Sequence, residues 1–510
     1  MKRVLVILFI FALIVGALAG GVATTYLVGG LAEQYLFTGA SRLTNMVFLM
    51  LVFVMVIATL LTLAERKWSA LMQNRVGPNR ARINLPGLRN SALAGLPHVA
   101  TDAVKMLFKE DFFPEKANRL LYNLGPMLAF APVFALFAIV PAGPSVTVLG
   151  QRVDMVVITP DFGLLYLFAI ASLAVYGTSL AGWSSNNKFA LLGGVRASSQ
   201  MISYEVALGL SLVGLMLAFS SVQLPTIVGN LFSEKAWLPE VLRSSGQARY
   251  LWQFSGANGS GFDIGLPAWG IFLQPLGFFI FFAAAFAETK RAPFDSPEGE
   301  SEIIGYFVEY SGMKFGMFMI SEFVEVVVLS GVIAALFFGG YHLPFGGEWL
   351  ASQPLMQEHG WLYGTLLGTF FWVKVVLLCW LQLAIRWTFP RFRYDQIQTL
   401  GWKILLPAGL VNVFASGALV LWDPSLRLLA LFGFLQLGVL VALTMSRPGS
   451  TTEGAHGGGH GHGAHGHGHD DAHGHGLPAH GHAAVAAPAH GHTDTHPAGV
   501  PSGAAPVTSH

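Results

Sequence analysis

The sequence is short of the residues that hold redox centres and of the charge that covers a soluble surface. Its 510 residues include a single cysteine, Cys379, which lies in an apolar run. It can form no intrachain disulfide, it cannot hold an iron–sulfur cluster alone, and a thiolate ligand in lipid is improbable. Asp, Glu, Lys and Arg make up only 11% of the chain, and the net charge is +1, so no general attraction to nucleic acid is implied. No apolar run carries a pair of histidines placed for haem, and no Gly-rich dinucleotide fingerprint is present. If the chain serves a redox reaction, its electrons come from another subunit.

Apolar runs are what the chain has in plenty. It is 53% hydrophobic with a mean hydropathy of +0.57. Several runs reach the roughly 20 residues that a helix needs to cross the hydrocarbon, and in lipid a helix satisfies its own backbone. The expected fold is an all-α polytopic membrane protein with about ten transmembrane helices. The first follows Lys2-Arg3 and runs from Val4 to about Gly30. Ala17-Leu18-Ala19 resembles a signal-peptidase site, but the run exceeds an ordinary h-region and reads as a retained helix. The others fall near 46–64, 118–140, 161–181, 198–220, 266–288, 311–340, 361–386, 403–422 and 427–445. The 311–340 run needs tilt or a break, with Gly331 and Gly339-Gly340 as weak points.

Loops 65–117, 182–197, 289–310 and 387–402 hold fifteen Lys and Arg, against five on the opposite side. That bias puts the first set, and with it both termini, in the cytoplasm. In the first of these loops, Gly77-Pro78-Asn79 is turn chemistry. A helix then runs from Pro97 to about Glu110, with Asp102, Lys105 and Lys109 on one side and Ala100, Val104, Leu107 and Phe108 on the other. Such an amphipathic helix can lie in the membrane interface. From Pro448 the chain carries 14 of its 17 histidines among Gly, Ala and Pro and reads as a disordered tail. Its His-Gly-His spacing suits adventitious Zn²⁺ or Ni²⁺.

Scarce charge becomes concentrated between Ala287 and Glu302, where sixteen residues hold five carboxylates and two cations directly after an apolar run. Two prolines and a glycine keep this stretch from being one helix. It reads as an aqueous, ionisable site at a membrane surface. Within the spans lie Glu205, Glu288, Glu322, Glu325, Lys314, Lys374 and Arg386. Glu322 and Glu325 share a helical face, and Lys314 lies about three turns before Glu325 on nearly the same face. A charge at mid-bilayer costs about 2.5–3.5 kcal/mol, so these groups must face each other or water. Burial makes a carboxylic acid hold its proton to higher pH, and a row of such acids can pass protons. Glu65, with Arg66 and Lys67, the Gly-Pro-Asn turn and the interfacial helix could frame a portal open to lipid, of the kind a long isoprenoid quinone needs.

Glu65-Arg66-Lys67, Arg75-Val76-Gly77-Pro78-Asn79, the run Gly182 to Arg196, Glu288 to Glu302, and Arg391-Phe392-Arg393-Tyr394-Asp395-Gln396 together resemble the H subunit of bacterial respiratory complex I, the family of mitochondrial NADH dehydrogenase subunit 1. The likeness runs from about Leu51 to Trp422 and follows the family's order. It implies a membrane subunit of a proton-translocating NADH:quinone oxidoreductase, with quinone as substrate, no cofactor bound covalently or by a metal, and no redox centre of its own. By position, Arg66, Asp102, Lys105 and Phe108 would line the quinone tunnel. Glu205, Glu288, Glu322 and Glu325 would form the proton path, and Asp295, Glu298, Glu300 and Glu302 an acidic coupling loop. Arg391, Arg393 and Asp395 would dock the peripheral arm. The implied partners are other complex I subunits, quinone and membrane lipid, in a bacterial cytoplasmic membrane. The resemblance implies an eight-helix core over 46–422, an added helix and loop over 1–45, an added helix over 423–447, and the tail over 448–510. The alternatives are the membrane anchor of an energy-converting hydrogenase, which lacks a quinone tunnel, and a stand-alone proton-coupled transporter, which predicts inverted repeats. The complete Arg-Phe-Arg-Tyr-Asp-Gln motif and the lack of repeated halves argue against them.

Overall fold

The computed structural model describes residues 2–82, 95–229, 246–254, 264–299, 302–344, 347, 350 and 353–445. Glu300 and the histidine-rich tail lie outside the described residues. In chain order the main helices are α1 (Lys2–Tyr35), α2 (Ala40–Met72), α3 (Leu96–Phe108), α4 (Arg119–Phe137), α5 (Gly163–Ser184), α6 (Lys188–Phe219), α7 (Pro275–Glu288), α8 (Gly312–Phe337), α9 (Gly360–Thr388), α10 (Tyr394–Trp422) and α11 (Arg427–Met445). All but α3 and α7 are long and apolar enough to cross a membrane, which makes nine such helices among the described residues. The all-α polytopic expectation holds, with two small antiparallel hairpins added. In one of them, Val146–Val148 pairs with Gln151–Val153 through a two-residue turn in which Leu149 and Gly150 both have positive φ, as that turn geometry demands.

The sixth predicted span, 266–288, is not one long helix. A short turn, Gly270–Leu273, stops at Gln274, whose φ of −139° is extended. The cause is Pro275, which offers no N–H and keeps its predecessor out of the helical region. The 14 residues of α7 then cover only about 21 Å, less than the roughly 30 Å hydrocarbon. The charged stretch that follows accordingly begins inside the protein. Thr289, Lys290 and Arg291 are 1%, 4% and 5% exposed, so this part is not the surface loop that composition suggested.

The predicted span at 198–220 also starts earlier. Asn187 caps α6 by accepting from Phe189 N at 2.9 Å, and the loop expected over 182–197 shrinks to a tight turn. Glu205 therefore lies almost five turns into its helix rather than two. Small residues hold α5 against its neighbours. A methyl on Gly177 would fall 2.4 Å from Ala129 N, and one on Gly182 would fall 2.5 Å from the Ala190 carbonyl.

At the centre stands α8, with 94% of its most apolar stretch buried. It runs straight through Gly331, where Phe137 packs against the bare backbone, and ends where Gly339 and Gly340 adopt φ of 70° and 54°. Only the second predicted weak point stops the helix. The amphipathic α3 lies where it was expected. Val104, Leu107 and Phe108 face outward, while Met106 inserts against Gly316 of α8.

Candidate functional site: a buried charge cluster beneath the short helix

The cluster forms because four elements bring charge to one place. The end of α7 and its loop supply Glu288, Lys290, Arg291, Asp295 and Glu298. The middle of α8 supplies Glu322 and Glu325, while α2 and the C-terminal part of α9 supply Glu65 and Arg386. Arg291 is the hub. Its Nη2 is 3.0 Å from Glu322 Oε2, its Nη1 is 3.8 Å from Glu65 Oε2, and its guanidinium lies 4.3 Å over the Phe323 ring. Arg386 Nη1 holds the other Glu65 oxygen at 2.7 Å. Lys290 Nζ lies 3.7 Å from Glu325 Oε2, and Tyr306 donates to Glu322 Oε1 at 3.3 Å. Glu288 lies in electrostatic range of both Glu325 and Glu205.

The pairing leaves room. Arg291 Nε and Nη2, Glu65 Oε2 and Glu322 Oε2 are buried with no aligned hydrogen bond. Arg291 and Glu65 border a cavity of about 20 Å³, lined also by Leu61, Val326, Gln382 and Arg386 among others. Since roughly 10–15 Å³ of such space holds one water, a water can bridge these groups.

Titration in the loop follows its burial. Burial pushes the Glu298 carboxyl well above the usual range, and the neighbouring Glu322 carboxylate pushes the same way. Burial opposes charge on Lys290, but the carboxylates around it, Glu325 first, outweigh that and hold it above its ordinary value. Burial also pushes Asp295 up to about 6, against the pull of Arg391. Its folded value exceeds the unfolded one, so its contribution to stability is full below the unfolded value and is lost as pH rises through about 6. The segment 292–299 is therefore expected to lose protection from hydrogen exchange with a midpoint near pH 6. Asp295→Asn should remove that step; the same midpoint in the variant would show that another group sets it.

The acids predicted for the proton path do meet here. Glu288, Glu322 and Glu325 are buried together, and Glu205 is half-buried at the edge of the group. Arg66 and Asp102 form an ion pair at 2.6 Å between α2 and α3. Lys105 and Phe108 are exposed on α3, with Phe108 at 85%, and neither joins the cluster. Glu302 is exposed and bound by Arg196 at 2.7 Å. Asp295 binds Arg391 at 3.0 Å, and Arg393 and Asp395 are exposed at the start of α10. Lys314 does not pair with Glu325. It reaches Asp111 at 2.8 Å and lies over the Tyr122 ring. Lys374 has no acid partner among the described residues and binds three backbone carbonyls.

Sequence reasoning missed two groups. Gln200, fully buried, donates to the carbonyls of Ala287 and Phe294 at 2.8 Å each and accepts from Ser296, stitching the loop to α6. An isolated glutamine in an apolar run gives no signal of that. Arg291 was visible as a cation directly after a membrane run, and that position is the one clue to its role.

The sequence matches the family described as NADH dehydrogenase over residues 44–417. The H 1 subunit of the Cytophaga hutchinsonii NADH-quinone oxidoreductase is 39% identical over 368 residues, covering 72% of this chain and 93% of that protein. Subunit 8 of the Rhodothermus marinus NADH-quinone oxidoreductase is 40% identical over 367 residues, with 72% and 93% covered. The H subunit of the Flavobacterium johnsoniae enzyme is 38% identical over 369 residues, with 72% and 91% covered. The chain belongs to the H-subunit family of NADH-quinone oxidoreductases. It is an integral membrane subunit of a multisubunit enzyme, complex I. The family match opens within α2 and closes within α10, so α1 and α11 lie outside it.

Proposed function

We propose that this subunit forms the membrane side of the quinone site and couples quinone reduction to proton translocation through the buried cluster. The observation that carries the reading is that Glu65, Arg291, Glu322 and Arg386, from three separate helices and the α7 loop, make one buried ionic chain. A quinone arriving from the bilayer passes the α3 side, where Arg66, Asp102, Lys105 and Phe108 lie, and its reduction demands protons. Demand at the head group shifts charge along Glu65, Arg291 and Glu322, and the acids Glu325, Glu288 and Glu205 respond because each feels its neighbour's charge. The loop with Asp295, Glu298, Glu300 and Glu302 transmits that change, while Arg391, Arg393 and Asp395 dock the peripheral subunits. The chain holds no redox centre of its own and takes electrons from those subunits. Residues 46–422 serve as the core, and 1–45 and 423–447 as additions that meet lipid or neighbouring subunits. The setting is a bacterial cytoplasmic membrane with both termini inside, as the Lys and Arg bias supports.

Glu205→Gln tests the coupling. An amide accepts and donates hydrogen bonds but releases no proton, so the variant complex should assemble and reduce quinone with a lowered proton yield. Unchanged rate and proton stoichiometry in sealed vesicles would make Glu205 structural.

A further inference from the structure

We propose that the added helix α1 completes a binding site for one anionic phospholipid, with its acyl chains in a slot between α1, α2 and α9 and its phosphate in a basic mouth beyond. The slot measures about 550 Å³ and is almost wholly apolar, walled by Leu13, Ala17 and Gly21 of α1, Phe53 and Leu60 of α2, and Trp380 of α9. Its size falls within the roughly 300–1,000 Å³ of built ligand pockets. Without α1, which lies outside the family match, it would be an open face.

The same two helices lead from slot to mouth. On α2 the wall passes through Leu61 and Ala64 to Glu65 and Arg66, and on α9 it passes through Leu383 to Trp387. The mouth is a cavity of about 500 Å³ bordered by Arg66, Arg75, Arg80, His98 and Trp387, with Glu65 as its one acid. Two of those charges are already matched. Asp102 binds Arg66 at 2.6 Å, and Arg386 binds Glu65 at 2.7 Å. Arg75 binds only the Gln73 amide oxygen at 2.5 Å, and neither Arg75 nor Arg80 has a carboxylate partner among the described residues. His98 accepts from Ala81 N through Nε2, which leaves Nδ1 to donate. Trp68 stands edge-on to Trp380 of the slot wall, with its Nε1 buried and unpartnered. Two unmatched arginines above an apolar slot favour a phosphodiester with net negative charge. A zwitterionic head brings its own ammonium, and a neutral quinone head has no use for the excess charge.

The test uses the whole complex, stripped of lipid in detergent and reconstituted into nanodiscs of phosphatidylcholine with a minor fraction of phosphatidylglycerol. Native mass spectrometry then reads the retained lipid. Phosphatidylglycerol should be retained selectively. Arg75→Gln with Arg80→Gln should lower its retention about twenty-fivefold, at the roughly fivefold per arginine that surface attraction of anionic lipid gives, and leave phosphatidylcholine unchanged. Ala17→Phe should narrow the slot and reduce retention of both. Equal retention of the two lipids by the unaltered complex would overturn the proposal, as would a photoreactive quinone labelling Trp380 in place of phospholipid. If the arginine pair prevents assembly, Ala17→Phe decides alone, and unchanged retention there overturns it.

Discussion

Arg291→Met should give a complex that falls apart at a lower temperature and no longer reduces quinone. Among the described residues Arg291 is the one cation paired with both Glu322, at 3.0 Å, and Glu65, at 3.8 Å, and it is only 5% exposed. Removing it leaves a buried carboxylate without its counter-charge, which costs about 3–5 kcal/mol. Arg291→Lys should not restore function, because a compact ammonium cannot place separate N–H groups on two acids as a planar fork does. Adding Glu322→Gln to Arg291→Met should recover part of the thermal resistance, since the orphan charge is gone, without recovering proton translocation. Native gels after graded heating, with quinone reductase assays, read both effects. A variant that survives heating like the unaltered complex would show that the cluster is solvated rather than buried.

Lys374→Met should loosen the far end of α8. A helix leaves its last carbonyls unsatisfied, and here Lys374 Nζ donates to the carbonyls of Phe338, Gly340 and His342 at 2.7, 2.8 and 2.7 Å. Its ammonium also lies 4.6 Å from the Trp269 ring centroid and 4.9 Å from that of Phe370. Bonds to a charged donor contribute about 1.5–3 kcal/mol each, but the ammonium's own desolvation offsets part of that, so a net loss of about 3 kcal/mol is expected. Lys374→Arg should rescue poorly, because a flat guanidinium does not fit three converging carbonyls. Hydrogen exchange at 337–343 should rise sharply while that of 292–299 stays as it was. Unchanged exchange at 337–343 would mean that the two left-handed glycines hold the turn unaided.

Much of this architecture is written locally. A span is a run of apolar residues, and α2, α4, α5, α8, α9, α10 and α11 lie close to where those runs placed them. The three-residue spacing of Glu322 and Glu325 put them on one face before any packing was known. The amphipathic pattern of Asp102 and Lys105 against Val104 and Leu107 located α3. Errors arose where one residue overrode the average of its window. Pro275 cut a 23-residue apolar window, 266–288, into a turn and a short helix, and Asn187 began α6 well before its most apolar part.

The charge partners were not legible, and the reason is distance along the chain. Lys314 shares a face with Glu325 but is captured by Asp111, which arrives from the end of α3. Glu65 meets Arg386 across 321 positions of sequence, a pairing no periodicity can announce. Hydropathy and turn chemistry determined by themselves that this chain is a bundle of membrane helices with acids that must turn inward, because each of those effects acts within a few residues. Tertiary packing decided which acid meets which cation and how deep the α7 loop sits. Those choices depend on a helix too short for the membrane and on side chains that become neighbours only when the bundle closes.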